Sequence, residues 1–328
     1  MVVNEHHETA YGMMPSPIVI ASILARETRQ CRIAILESAI PLRDHPLTLA
    51  EEHAMIDTIS GRRLITGLVR GIGAEYHAVG TNPARSHERI HEAHDLILRA
   101  RPVRLLGQAL QFRLCEPLAD PVPKAPSDDL ESLRGQHRNY RVGVHGDRRY
   151  TYLQTFSPVA LVERFLDAYR EAAERHGYTA GPEHLGWAVP VYVGETDASA
   201  VAEATPHYEP FRTYFLGMPM EMLVPPGYVT LRSIERALAK KETSHIEMTI
   251  ERAIDLGLIT CGSASTVRDR LVAYERRIDF GNLLAMLQFG TMPNTLTVPN
   301  QQRFATEVRT KLRTPPSDAP APPQAEVA

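Results

Sequence analysis

A chain of 328 residues with 43% hydrophobic and 23% charged residues has a soluble, globular composition, and it is long enough for one large α/β domain or two ordinary ones. Its net charge of −3 gives neither nucleic acid nor an anionic membrane a reason to bind. Cys31, Cys115 and Cys261 are too few and too far apart for a disulfide framework or a zinc cluster, and with no membrane-length apolar run or apolar leader the expectation is a cytoplasmic protein.

The chain opens with Glu5-His6-His7. If this stretch ends a strand, neighbouring imidazoles sit at one rim, where a histidine serves as proton shuttle or hydrogen-bond donor near neutral pH. "SPIVIASILARE" (16–27) has helical periodicity, "CRIAILESAIP" (31–41) is a short apolar run fit for a buried strand, and "LTLAEEHAMIDTISG" (47–61) is an amphipathic helix stopped by Gly61. "RRLITGLVRG" (62–71) is strand-like and flows into a glycine-rich turn. Gly71 and Gly73 suggest a dinucleotide fingerprint, but the third glycine is missing and no helix is expected to start there. What remains is a strand ending in Arg70-Gly71, which brings a guanidinium and backbone N–H groups together in a way that suits a phosphate. A purely structural turn is the alternative.

"RSHERIHEAHDLILRA" (85–100) is helical and contains the H-E-x-x-H spacing of zinc peptidases, with His94 one turn further on. Arg85, Arg89, Glu92 and Asp95 surround the pair, so the helix reads as a solvated outer face and no metal ligand is assigned. Residues 101–146 have no clean periodicity. Beyond them come a strand in "RRYTYLQTF" (148–156), a helix in "VALVERFLDAYREAAERHG" (159–177) closed by Gly177, and a strand in "WAVPVYVGE" (187–195). "HYEPFRTYFLGMPMEMLVPPGYVTL" (207–231) is rich in Tyr, Phe and Met; it is either a lid over a pocket or simple packing over a barrel mouth. "SASTVRDRLVAYERRIDFG" (263–281) predicts a helix, "NLLAMLQFG" (282–290) a last strand and "NQQRFATEVRTKLR" (300–313) a last helix. The Pro/Ala-rich end, 314–328, is expected to be a disordered tail. Strand–helix alternation from 1 to 313 favours a single α/β domain, a TIM (β/α)8 barrel, over a doubly wound sheet, with the chemistry at the C-terminal ends of the strands.

The ordered succession of E-H-H (5–7), "SPIVIASILARET" (16–28), "HPLTLAEEHAMIDTISGRRLITGLVRG" (45–71), "EYHAVG" (75–80) and "GNLLAMLQFGTMP" (281–293) resembles the bacterial luciferase-like flavin-dependent monooxygenases, over 1–100 and again from about 147 to 313. The resemblance implies a (β/α)8 barrel that uses reduced FMN, supplied by a separate and transiently bound flavin reductase, and molecular oxygen to oxidise a small organic substrate. It also implies roles. His6 would be the proton donor or base beside the flavin, with His7 its neighbour and Glu5 ending the same strand. Leu36 and Glu37 would lie against the isoalloxazine ring. Arg70, Gly71 and the backbone around Ile72 would hold the FMN phosphate. By analogy alone, a homodimer through the outer helices is expected. A deazaflavin-dependent hydride-transfer oxidoreductase of the same superfamily is the alternative, and a catalytically impaired flavin-binding remnant is another.

Two departures from the family shape the expectation. In the family E-H-H closes the second strand, so the chain is expected to lack the first βα unit. Residues 101–146 match nothing in the family, yet a one-base shift of the reading frame yields family-like segments in family order. The expectation is therefore an out-of-frame stretch in place of the fifth strand, an incomplete barrel with open sheet edges, and weak activity. The substrate is not named by any motif.

Overall fold

The computed structural model describes residues 1–12, 14–100, 113–114, 149–229, 235 and 248–312. The chain begins with β1 (Val2–Val3), followed by α1 (Pro17–Glu27), which has its proline in the first turn, where a missing N–H costs nothing. Pro17, Ala21 and Ala25 form its buried stripe, small enough to lay the helix close on the sheet. In β2 (Ile33–Ala39) the side chains alternate. Ile33 and Ile35 pack outward under α1 with Ile56, while Ala34 and Leu36 point to the opposite face. α2 (Pro46–Ser60) stops at Gly61, whose φ of 71° is costly for any residue with a side chain. Then come β3 (Leu64–Val69), the short α3 (Gly73–Ala78), α4 (Ser86–Ala100) and β4 (Arg113–Leu114).

The second half repeats the pattern with β5 (Tyr152–Thr155), α5 (Val159–Arg175), β6 (Leu185–Gly194) and α6 (Asp197–Pro210). After α7 (Met220–Leu223) and α8 (Ile250–Asp255) it continues through β7 (Thr260–Ser263), α9 (Ala264–Ile278), β8 (Asn282–Met286) and α10 (Asn294–Arg303). Its core centres on Trp187 of β6, fully buried and edge-on to Tyr274 at 5.2 Å and Phe280 at 5.8 Å. Burying a large side chain of this kind stabilises the fold by about 1.5–3 kcal/mol.

Every described strand pairing is parallel. One sheet runs β1-β2-β3-β4; in the other, β6 pairs with β5, β7 and β8. Ala34 and Leu36 from the first sheet pack with Leu153 from the second, joined by Ile65 and Leu284. Both sheets therefore turn side chains to one shared interior with helices outside, and the architecture is an α/β barrel in two halves. Among the described strands β1 is one edge of the first sheet and β8 an edge strand beside β6 in the second, and a cavity of ≈ 1340 Å³ runs between them, lined by Val2 and Asn4 on one side and Leu283 to Phe289 on the other.

Several expectations need correction. A helix does start in the glycine-rich turn: α3 begins at Gly73. α4 is not solvated all round, because Ile90, Ala93, His94 and Ile97 are buried and the first two and the last pack with Leu49, Ala50 and Leu68; the charged residues occupy the other side of the helix. The last helix starts at Asn294 instead of 300 and runs through Pro299. Arg113–Leu114, inside the anomalous stretch, pair with Ile65 and Thr66, so a strand does follow β3 in the sheet. Backbone pairing needs no particular side chains, which is why the composition hid it. The remainder of the out-of-frame reading and the 314–328 tail lie outside the described residues.

Candidate active site

Glu5, His6 and His7 do not close β1; they follow it, at the C-terminal ends of the strands. Glu5 is 2% exposed, and its two oxygens are divided between two donors. Arg43 Nη2 donates to Oε2 at 2.6 Å, and His7 Nε2 to Oε1 at 2.9 Å. A second buried carboxylate faces this one. Glu75 of α3, 1% exposed, accepts on Oε1 from His6 Nδ1 at 3.1 Å and the His7 backbone N–H at 3.3 Å, and on Oε2 from the Ile72 N–H at 2.7 Å. Burying charges this deeply is costly unless their lone pairs are met, and here each oxygen has at least one donor. An ionised carboxylate only accepts, so His6 carries its proton on Nδ1 and His7 carries one on Nε2.

The cluster reaches the cavity through Tyr11. Its ring lies 4.9 Å from the His6 ring and packs against Phe156 at 5.9 Å and Phe211 at 5.8 Å. Tyr11, Phe156 and Leu36 line the cavity. Leu36 sits where the β2–β3 register shifts between Ile35 and Ser38, an irregularity that re-aims side chains. For Glu37 only the backbone is described, within β2. The structure thus gathers His6, His7 and Glu5, and sets Leu36 on the wall of the cavity that Tyr11 also lines.

Arg70, Gly71 and Ile72 form a separate arrangement. Arg70 is 2% exposed, and its guanidinium carbon lies 3.6 Å over the centre of the Tyr228 ring. Its Nη1 donates to the Tyr228 carbonyl at 2.9 Å and to His87 Nε2. The Tyr228 hydroxyl donates in turn to the Gly71 carbonyl, and the Tyr76 hydroxyl to the Arg70 carbonyl at 2.5 Å. Burial, chiefly, pushes the Tyr76 phenol well above its ordinary range. Gly71 has φ +81°, and a side chain there would also meet Glu75 Oε2 at 2.9 Å. At Gly73 a Cβ would lie 2.1 Å from Pro225 Cδ and 2.4 Å from the Met222 carbonyl oxygen.

These facts test the fit of a flavin nucleotide. The apolar cavity beside Leu36, Tyr11 and Phe156 suits a flat aromatic ring system. The phosphate end does not fit. The guanidinium is covered, the Ile72 N–H already holds a carboxylate, and the bare face of Gly73 lies under Pro225.

Of the H-E-x-x-H stretch, His87 accepts from Arg70, and one turn further on His94 Nε2 lies 3.0 Å from the Tyr150 hydroxyl. Among the described residues no group of three His, Cys, Asp or Glu is placed to hold a metal, and no helix is long and apolar enough to cross a membrane. Sequence reading missed Glu75, Arg43, Tyr11 and Tyr228. Glu75 had a signal, since it stands three residues after the turn residue Ile72, the spacing at which a carboxylate caps a helix start. Tyr228 had none.

The family model described as luciferase-like monooxygenase matches residues 1–279. The chain is 26% identical over 306 residues to the uncharacterized protein y4wF of Sinorhizobium fredii, covering 88% of this chain and 80% of that one. A shorter stretch of 66 residues is 38% identical to the alkanal monooxygenase beta chain of Photobacterium leiognathi, 20% of each protein. The oxygenating constituent of 3,6-diketocamphane monooxygenase of Pseudomonas putida, solved in complex with FMN, superposes with a TM-score of 0.70 at 16% identity, over 96% of this chain and 89% of that one. The coenzyme F420 dependent tetrahydromethanopterin reductase of Methanopyrus kandleri does so with 0.57 at 14%, over 94% and 89%. The parallel α/β architecture and the family model over most of the chain agree: the chain belongs to the luciferase-like monooxygenase family.

Proposed function

We propose that this chain is the oxygenase of a two-component monooxygenase, taking a reduced flavin from a separate flavin reductase and using dioxygen to oxidise a small organic substrate. The observation that carries this reading is the pair of buried carboxylates holding two histidines beside an apolar cavity at the C-terminal ends of the strands. A reduced flavin would supply the two electrons that dioxygen requires. The chain's own part is to bind the ring against Leu36 and the backbone of Glu37, to exclude water with Tyr11, Phe156 and Phe211, and to move a proton at His6. Glu75 holds the Nδ1 proton of His6, so that Nε2 is the nitrogen that exchanges. His7, fixed by Glu5 and Arg43, keeps the neighbouring backbone in place. FMN is the first flavin to try, and reaction in the cytoplasm is the matching expectation.

The test mixes the protein anaerobically with chemically reduced FMN, admits isotopically labelled oxygen, and follows label transfer to a panel of small organic compounds. Oxygen uptake coupled to labelled product is expected. His6→Asn should lower kcat by about 10²–10⁴ while leaving flavin binding unchanged. Uptake indistinguishable from that of free reduced FMN across the panel, together with turnover of a reduced deazaflavin without oxygen, would move the chain to the hydride-transfer branch of the superfamily.

A further inference from the structure

The turn after β3 has the makings of an anion cradle, namely a strand-end arginine, two glycines and backbone N–H groups, yet the protein fills it with its own groups. Segment 219–229 lies across it. The Met222 and Leu223 carbonyls and Pro225 press on the bare face of Gly73 at distances that no side chain at that position could allow. Tyr228 covers the Arg70 guanidinium with its ring, takes an Arg70 N–H on its carbonyl and gives its hydroxyl proton to Gly71. Gly227, at φ +82°, passes so close to Ala84 that a Cβ would meet its Cα at 2.9 Å, so the segment is seated at both ends of the turn. The one turn amide with a described partner, Ile72, is bonded to a carboxylate. A phosphate there would face Glu75 Oε2 instead of an open donor, and like charges at such range repel.

We propose that the flavin site of this chain recognises the isoalloxazine ring and ribityl chain and gives no binding advantage to the 5′-phosphate, because segment 219–229 occupies the phosphate cradle; riboflavin therefore binds as well as FMN. The inference rests on the flavin reading of the cavity given above. Where a phosphate meets an available arginine and backbone donors, the nucleotide gains charge-assisted hydrogen bonds, and a preference of about tenfold or more over the dephosphorylated form follows.

The experiment is equilibrium titration of the full chain with riboflavin and with FMN, read by flavin fluorescence, in the wild type and in Tyr228→Ala. The wild-type dissociation constants should agree within about threefold. Removing the ring should uncover Arg70 and make FMN the tighter ligand by about tenfold or more. The comparison is made within each preparation, so the fraction of folded protein cancels. FMN bound at least tenfold more tightly by the wild type overturns this inference and leaves the oxygenase reading standing. An unchanged ratio in Tyr228→Ala overturns the claim that the Tyr228 ring keeps Arg70 from the phosphate. Binding of neither flavin overturns the inference and the flavin reading together.

Discussion

Glu75 carries more of the site than any residue a motif would single out. One carboxylate spans two tasks, holding His6 and the His7 backbone on one oxygen and the Ile72 amide on the other. Glu75→Gln keeps the shape but leaves a single accepting oxygen, so one of the two tasks must lose its acceptor. A buried donor without a partner costs about 1–3 kcal/mol, and that loss of stability is expected in urea titrations. The sharper readout is His6 itself. Ring ¹⁵N shifts should report the Nδ1–H form in the wild type and a mixture of tautomers in the variant; identical ring shifts in both proteins would show that the carboxylate does not set the tautomer. At this scale the sequence was half legible. His6, His7 and Glu5 could be placed together because they are adjacent letters, whereas Leu36 was named only through the family resemblance. Their partners Glu75, Arg43 and Tyr11 come from elsewhere in the chain, and no local pattern announces a contact that only the folded chain makes.

Among the elements, helix ends were the most legible feature, because Gly61 and Gly177 take φ values of 71° and 77° that few other residues accept. α6 was not among the expected elements, and the structure accommodates Pro206 inside the helix and Pro210 at its last position. β7 was missed because "TCGS" is four residues long with a glycine in it. How elements are tied together was less legible still, and His53 shows it. It stands on α2, fully buried, with Nδ1 3.0 Å from Thr66 Oγ1 of β3 and Nε2 3.4 Å from Ser38 Oγ of β2. Burial first, and Arg43 second, bring it down from 6.5 to about 3. The unfolded chain therefore takes up a proton near pH 6.5 that the folded chain refuses until about pH 3. This contribution to stability is complete above that window, falls as the pH drops through it, and is gone below. A shift of this size is worth on the order of 5 kcal/mol across the window. His53→Gln keeps a polar link to both strands without a titrating ring. Its urea midpoint should move less between pH 7 and pH 4 than that of the wild type; an equal acid shift in the two proteins would place the sensitivity elsewhere.

At the scale of the whole molecule the alternation of strands and helices was legible as a barrel, but its division into two halves follows from where the contacts fall. Among the described residues the first half has two separate small cores, one around Leu49, Leu68 and Ile90 and one around Ile33, Ile35 and Ile56. Its sheet begins and ends in strands of two residues, β1 and β4. The second half has a larger core around Trp187 and a further aromatic cluster of Tyr192, Tyr208, Phe211 and Phe289. Between them lie the Ala34–Leu36–Leu153 layer, the rings about Tyr11 and the segment seated on α3. Among the described residues the unequal cores meet over the thin layer around Leu36 and Leu153, which weakens cooperativity, so the halves should unfold in sequence, the first before the second. Trp187 is the single tryptophan and lies wholly in the second core, which makes its fluorescence a reporter of that half alone. In a urea titration the far-UV circular dichroism should begin to fall at a lower concentration than the tryptophan signal. Leu153→Ala thins the layer the halves share, at a cost of about 2–5 kcal/mol for a buried leucine, and should widen the gap between the two transitions. If the two signals superimpose in both proteins, the barrel unfolds as one unit and the layer around Leu36 and Leu153 couples the halves more strongly than its size suggests.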